Sequence, residues 1–203
     1  MNQIKNLIIK DGMIGTIDLN SGEKRIWDPN HSKVAAGIKK GIKEFPINEN
    51  SKVLYLGAAE GYTISFISDI ASSGIVIGAD ISAHSMQKLY LLSLERNNLI
   101  PLLGDCNKPE TYIESLATEK FDLIIQDIAQ KNQVEILVKN SDLFLKEKGY
   151  VLLSLKLSAL TQKKDSNLRE DQLELFRKHF NLIDQKKLDP FEKKHMLLLG
   201  QKK

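Results

Sequence analysis

Asp80, Asp105 and Asp127 each follow a short apolar run, and Gly57-Ala58-Ala59-Glu60-Gly61 follows another. In an open α/β sheet, ligands bind outside the carboxyl ends of the strands. These positions are therefore the ones that face a ligand. Two glycines and two alanines make a turn that a ligand can approach closely, ahead of a helix N-terminus. The G-x-x-x-G spacing matches neither the dinucleotide fingerprint nor the P-loop, and a tight strand-to-helix turn explains it equally well. Asp80, 23 residues past Gly57, can accept hydrogen bonds from both hydroxyls of a ribose. It can also cap a helix starting near Ser82. Asp105, after Gly104, can receive an adenine amino group or simply make a turn. Together, the glycine turn and acids at successive strand ends describe an adenosine-shaped pocket. They point to S-adenosylmethionine more than to NAD. Lys156 and Lys33 stand in apolar surroundings, and His195 lies beside the last strand. Taken singly, each lysine reads as a side chain reaching for water, and the histidine as a surface or satisfied one.

The elements that must position these residues are set by periodicity and turn signals. Residues 4–10 and 13–19 read as strands around an Asp11-Gly12 hairpin turn, and Lys24–Trp27 as a third strand. Three short strands cannot fold alone, so they should pack on the rest of the chain. A helix is expected over His31–Lys43, with Val34, Ala35, Ile38 and Ile42 on one side. Strand–helix alternation then begins. The expected strands are Val53–Leu56, Ile75–Ala79, Leu99–Leu103, Phe121–Gln126 and Gly149–Leu155. The expected helices are Tyr62–Ala71, Ser82–Arg96, one near 109–117, Asn132–Leu145 and Arg169–Phe180. Leu182–Leu188 and Met196–Gly200 close the chain as two strands with no helix between them. This order predicts an α/β fold: a parallel sheet covered on both faces, with an antiparallel hairpin at or near its edge. Residues 1–28 are expected to form a small β region and 29–203 the main domain.

The chain has 203 residues, of which 42% are hydrophobic and 27% charged. That is one globular domain with a small appendage, and it excludes wholesale disorder. The single cysteine, Cys106, excludes an internal disulfide and a cysteine-built zinc site. No apolar run is long enough to cross a bilayer, and Met1–Asp11 lacks the pattern of a signal peptide. A soluble, cytoplasmic protein is expected. The net charge of +3 is unevenly spread: residues 51–120 carry 5 basic and 8 acidic groups, and residues 121–203 carry 16 and 12. Basic ends that meet in space can form a face suited to phosphates.

Several segments taken together resemble fibrillarin. They are Arg25–Lys33 (RIWDPNHSK), Leu56–Ala59, Leu103–Pro109 (LGDCNKP), Asp127–Gln130 and Pro190–His195 (PFEKKH). The likeness is to the archaeal form, which has no Gly/Arg-rich amino-terminal tail. It runs from about residue 24 to the end, with motifs in the same order, and weakens over residues 1–23. The resemblance implies a Rossmann-like methyltransferase fold with a seven-stranded, mostly parallel sheet. It implies S-adenosylmethionine-dependent ribose 2′-O-methylation of rRNA, and of tRNA, directed by box C/D guide RNA. Implied partners are the guide and target RNA, a Nop-domain scaffold and a kink-turn-binding ribosomal-protein-like subunit. Implied catalytic residues are Lys33, Asp127, Lys156 and His195. Implied cofactor-binding residues are Gly57, Ala58, Ala59, Gly61, Tyr62, Thr63, Asp80, Asp105, Cys106, Asp127 and Gln130. No metal is expected.

The family often has Arg at His31, Asp at Lys194, Thr at Tyr62 and a small polar residue at Glu60. These departures bear on cofactor affinity more than on chemistry. The chemistry suits the residue types. A sulfonium makes its methyl group electrophilic, so the protein must position an in-line attack and remove a proton from a ribose hydroxyl. A lysine serves as base only if its pKa falls well below about 10.4. Lys156 is assigned that role, with Asp127 orienting it. Lys33 is expected to bind the phosphate or the developing oxyanion, and His195 to position the ribose or relay a proton. The alternatives are a stand-alone RNA methyltransferase, a non-catalytic RNA-binding or assembly subunit, and a nicotinamide oxidoreductase, which the glycine spacing disfavours.

Overall fold

The computed structural model describes residues 4–116, 119–157 and 168–203. Two sheets form. The small one holds β1 (Leu7–Lys10), β2 (Met13–Ile17) and β3 (Lys24–Ile26), all antiparallel, with Asp11-Gly12 turning β1 into β2. Asp11 and Gly12 both have positive φ (51° and 75°), the twist that a two-residue hairpin turn demands. The large sheet has seven strands. They are β4 (Lys52–Leu56), β5 (Ile75–Asp80), β6 (Leu99–Leu103), β7 (Phe121–Gln126), β8 (Leu145–Lys156), β9 (Phe180–Lys187) and β10 (His195–Lys202). Their spatial order is β6-β5-β4-β7-β8-β10-β9. The first five are parallel, and β10 runs antiparallel to both of its neighbours. The expected terminal hairpin is therefore present at the sheet's edge.

Helices cover both faces because the parallel strands are apolar on both. On one face lie α1 (Lys33–Lys39), α2 (Tyr62–Ile70) and α3 (Ala83–Ser93), packed on Val53, Tyr55, Leu123, Leu152 and Leu197. On the other lie α4 (Gln133–Phe144) and α5 (Leu168–His179), packed on Leu54, Ile124, Val151, Leu153 and Leu198. Successive strand residues alternate between the two cores, as pleating requires.

Most expected spans shift by a few residues at their ends, and three change most. The first helix occupies Lys33–Lys39 rather than His31–Lys43. Ser32 caps it, its Oγ accepting from the Ala35 amide at 3.3 Å, and Gly41 at φ +73° turns the chain away. The helix expected near 109–117 is a single 3-10 turn over Pro109–Tyr112. Tyr112 anchors it, buried against Phe144 and hydrogen-bonded to Asn140, while Ile113–Ser115 stay exposed. Strand β8 starts four residues early, at Leu145, and residues 146–149 loop out of its pairing with β7, with Lys148 at φ +60°.

The small sheet docks on α2 through Asp69, which is wholly buried. Thr16 Oγ1 donates to its Oδ2 at 2.6 Å, Arg25 Nη1 approaches Oδ2 at 2.8 Å, and Arg96 Nη1 approaches Oδ1 at 2.6 Å. Arg96 also pairs with Asp18 at 2.7 Å. Burial raises the Asp18 carboxyl, but amides of Ser21 and Asn20 and the Arg96 charge outweigh it and hold the group below its usual range. Trp27 stacks on Phe66 at 5.0 Å, and the Arg25 guanidinium lies over the same ring.

Candidate active site

Strand order reverses between β4 and β7, and a crevice opens there at the carboxyl ends. Gly57 and Asp127 are the residues just past these two adjacent strands. The Asp127 amide donates to the Leu56 carbonyl at 2.9 Å, and Gly57 has φ +82°. A Cβ on Gly57 would lie 2.5 Å from the Asp127 carbonyl oxygen. Only glycine lets the two chains pass that closely. Ala59 (φ +48°) and Gly61 (φ +102°) complete a turn into α2.

A pocket of about 220 Å³ sits in this crevice. Gly57, Ala59, Asp80, Asp105, Cys106, Asp127 and Gln130 line it, joined by Ile81, Asn107, Ile128, Ala129 and Ile136. Asp80 braces both sides of the opening. Its Oδ2 accepts from the Ala59 amide and its Oδ1 from the Ser82 amide, each at 2.9 Å. The cap of α3 is Ser82, whose Oγ accepts from Ser85, so Asp80 is not itself the helix cap. Asp105 Oδ1 accepts from the Asn107 amide at 2.9 Å. Cys106 is buried, and desolvation, reinforced by Asp80 and Asp105 against a hydrogen bond from Gly57, pushes its thiol up to about 12. It is a wall rather than a nucleophile.

Four expected cofactor positions, Ala58, Gly61, Tyr62 and Thr63, lie outside this lining. Ala58 and Gly61 pack inward, and a Cβ on Gly61 would meet Leu92 at 2.7 Å and Leu89 at 3.1 Å. Tyr62 and Thr63 reach toward the start of α1. Tyr62 Oη accepts from the Asp28 amide at 3.2 Å, and Thr63 Oγ1 donates to Ser32 Oγ at 3.0 Å. Glu60 pairs with Lys88 at 2.5 Å, and that contact holds its carboxyl below the usual range. It too is absent from the lining.

Beside the pocket the four expected catalytic side chains converge from four elements. Lys33, the first residue of α1, places its Nζ 3.0 Å from Asp127 Oδ2 and 3.9 Å from Glu192 Oε1. Asp127 therefore pairs with Lys33, not with Lys156. Lys156 ends β8 and stands opposite His195, the first residue of β10. Among the described residues its ammonium makes no ion pair. His195 Nδ1 lies 2.9 Å from the Lys193 carbonyl and 3.9 Å from Glu192 Oε2. A carbonyl only accepts, so that contact assigns the proton to Nδ1 and leaves Nε2 as the acceptor in the neutral ring. Glu192, between Lys33 and His195, was not foreseen from the sequence, since a surface Glu in a Lys-rich run carries no periodic signal. Gln126 and Gln133, fully buried behind Asp127 and Lys156, were not foreseen either. Among the described residues no group of His, Cys, Asp or Glu is placed to hold a metal ion, and no helix is long and apolar enough to cross a membrane.

The Fibrillarin family model matches residues 9–203. The chain belongs to the fibrillarin family. A fibrillarin-like rRNA/tRNA 2′-O-methyltransferase of Methanocaldococcus jannaschii is 42% identical over 186 residues, covering 91% of this chain and 80% of the relative. A fibrillarin in a solved fibrillarin/Nop5p complex superposes with a TM-score of 0.90 at 35% identity, covering all of both chains. The Aeropyrum pernix fibrillarin, solved with natively bound S-adenosyl-L-methionine, gives 0.87 at 29% identity, covering 98% of this chain and 96% of its own. In this fibrillarin-family chain the motif residues scattered over 163 positions, from Lys33 to His195, meet at one crevice.

Proposed function

We propose that this fibrillarin-family chain is an S-adenosylmethionine-dependent ribose 2′-O-methyltransferase acting on rRNA and tRNA under the direction of a box C/D guide RNA. One observation carries the reading: two lysines, an aspartate and a histidine converge beside an acid-lined pocket at the switch point of the sheet. A scaffold or RNA-binding subunit has no use for that constellation.

The residues fit the cofactor. At about 220 Å³ the pocket is smaller than the ~300–1,000 Å³ of most ligand sites, which suits an adenosine more than the whole molecule. Asp80 has one amide on each carboxylate oxygen, leaving each a further lone pair for a ribose hydroxyl. Asp105 offers its other oxygen to an amino group. Ile81, Ile128 and Ile136 supply apolar walls for a flat base. Gly57, Asp127 and Gln130, which line the same pocket, would hold the methionine end. When bound, the cofactor supplies an electrophilic methyl group on a sulfonium.

The protein does the rest by position. Lys33, held between Asp127 and Glu192 at the mouth of the crevice, suits binding of a phosphate or of the developing oxyanion. Lys156, with no ion pair among the described residues, suits acceptance of the 2′-hydroxyl proton at its Nζ. His195, its Nδ1 proton committed to the Lys193 carbonyl, presents Nε2 to the ribose. In this reading the chain divides into a small β region, 1–28, and a methyltransferase domain, 29–203, and the working compartment is the cytoplasm.

Replacing Asp80 by Ala is expected to weaken S-adenosylmethionine binding by about 1–3 kcal/mol, because an ionised acceptor is lost from the ribose. Calorimetry that finds unchanged affinity in a folded variant would leave Asp80 as a loop brace only. The partners in this reading are guide RNA, target RNA, a Nop-domain scaffold and a kink-turn-binding subunit. Six per cent aromatic residues and a net charge of +3 give little means of stacking or choosing bases. The isolated chain is therefore expected to bind S-adenosylhomocysteine but not NAD, and to methylate a target oligonucleotide efficiently only with guide RNA and both partner proteins. Efficient single-site methylation by the chain alone would overturn guide dependence and favour a stand-alone enzyme. Absence of transfer in the full particle would favour an assembly subunit.

A further inference from the structure

We infer that Gln133 is the positioning residue for Lys156, continuing the β-ladder past the end of β7 so that the lysine stays in extended backbone. The inference rests on the reading of Lys156 as proton acceptor.

The pairing of β7 with β8 ends at Gln126 opposite Leu153. Lys156 lies three residues further on, where β7 has already turned toward Asp127. Its own N–H and C=O point to that side, because β10 bonds instead to the next residue, with the Leu157 amide donating to the Lys194 carbonyl at 2.8 Å. Without a partner, this part-buried edge would leave a peptide donor and acceptor unpaired. The Gln133 side chain meets both. Its Oε1 accepts from the Lys156 amide at 2.8 Å, and its Nε2 donates to the Lys156 carbonyl at 3.3 Å. A carboxamide carries one acceptor and one donor in a plane, as a peptide does. It therefore stands in for the missing strand, and its orientation is unambiguous, since the reverse would set donor against donor.

Gln133 is itself tied down. It is fully buried although it opens α4, a place where a glutamine ordinarily faces water. Its carbonyl accepts from Gln126 Nε2 at 2.6 Å, and the next amide, Val134, donates to Gln172 Oε1 at 3.1 Å. Gln126 immediately precedes Asp127. The start of α4 thereby references the ends of β7 and β8 to each other, and hence Asp127 to Lys156. None of Gln126, Gln133 and Gln172 lines the pocket, so their effect reaches the chemistry through where Lys156 stands relative to Asp127.

The test uses the full particle with Gln133→Leu, which removes both bonds, and Gln133→Glu, which keeps the acceptor and loses the donor. Three quantities are read: single-turnover methyl transfer, S-adenosylhomocysteine affinity, and hydrogen exchange at the Lys156 amide. Both variants are expected to lose about 10- to 100-fold in rate, the scale of a small misplacement of a reacting group. Cofactor affinity should stay within about twofold, and exchange at Lys156 should quicken in Gln133→Leu. If Gln133→Leu fails to fold, Gln133→Glu carries the test of rate against affinity. Unchanged Lys156 exchange, an unchanged rate, or rate and affinity falling in parallel would each overturn the inference. If the wild-type particle itself transfers no methyl group, the functional reading fails, and the exchange result still decides whether the ladder is continued at Lys156.

Discussion

Lys156→Ala is expected to lower the single-turnover rate of methyl transfer by about 10²–10⁴-fold, the usual range for loss of a general base. Cofactor affinity should remain near that of the wild type, because Lys156 lies outside the pocket that Asp80 and Asp105 line. Asp127→Ala should also remove most activity, by a different route. It frees Lys33 from its 3.0 Å partner and strips a carboxylate from the pocket wall. Asp127→Ala is therefore expected to raise the substrate KM as well, where Lys156→Ala lowers kcat alone. A near wild-type single-turnover rate in Lys156→Ala would show that another group takes the proton, and His195 Nε2 would be next in line. The assay is best run with saturating S-adenosylmethionine so that binding does not mask chemistry.

Asp69→Ala is expected to cost about 3–5 kcal/mol in urea unfolding, the scale for leaving a buried charge without its partner. Asp69 is wholly buried and Arg96 is 4% exposed. Among the described residues the substitution would leave Arg96 with Asp18 as its one carboxylate partner, and Thr16 without its acceptor. The small sheet should then loosen first, because Thr16, Arg25 and the Leu19 amide all reach α2 through this carboxylate. Proteolysis near residues 18–24 would report that local opening. A variant as stable as the wild type would mean that the remaining contacts, those of Ile14 and Trp27 with the core, of Arg25 with Ser65 and Phe66, and of Asp18 with Arg96, suffice to hold the small sheet in place.

Element types and order were legible because each strand and helix carries its own burial pattern. Phe121–Gln126 and Val53–Leu56 alternate between two apolar faces, and the missing helix between β9 and β10 announced a hairpin. Lengths were less legible. The apolar side of the first helix continues to Ile42, but Gly41 takes a left-handed turn that periodicity does not register. The run after Pro109 has helix formers, yet among the described residues only Tyr112 and Leu116 are buried there, too few to hold a helix onto the sheet. For the site, strand-end position located Asp80, Asp105 and Asp127 without any fold in hand. Which charges pair was not legible, because Lys33 meets Asp127 across 94 residues of chain. Buried polar residues were the hardest. Gln133, Gln126 and Asp69 sit where a pattern of apolar residues would be read as interrupted, and only their partners explain them.

The place of β10 has a consequence for the order in which this protein comes into being. It lies between β8 and β9 but is made after both. During synthesis β8 must wait with one edge bare, and β9 has no neighbour to join. An open apolar strand edge invites foreign pairing until it is filled. The strand that fills it begins with His195, directly opposite Lys156. A nascent chain therefore cannot bring Lys156 and His195 together before it has closed its sheet, and a product truncated before β10 keeps the edge of β8 bare. Closure of the sheet and the meeting of Lys156 with His195 arrive in the same event.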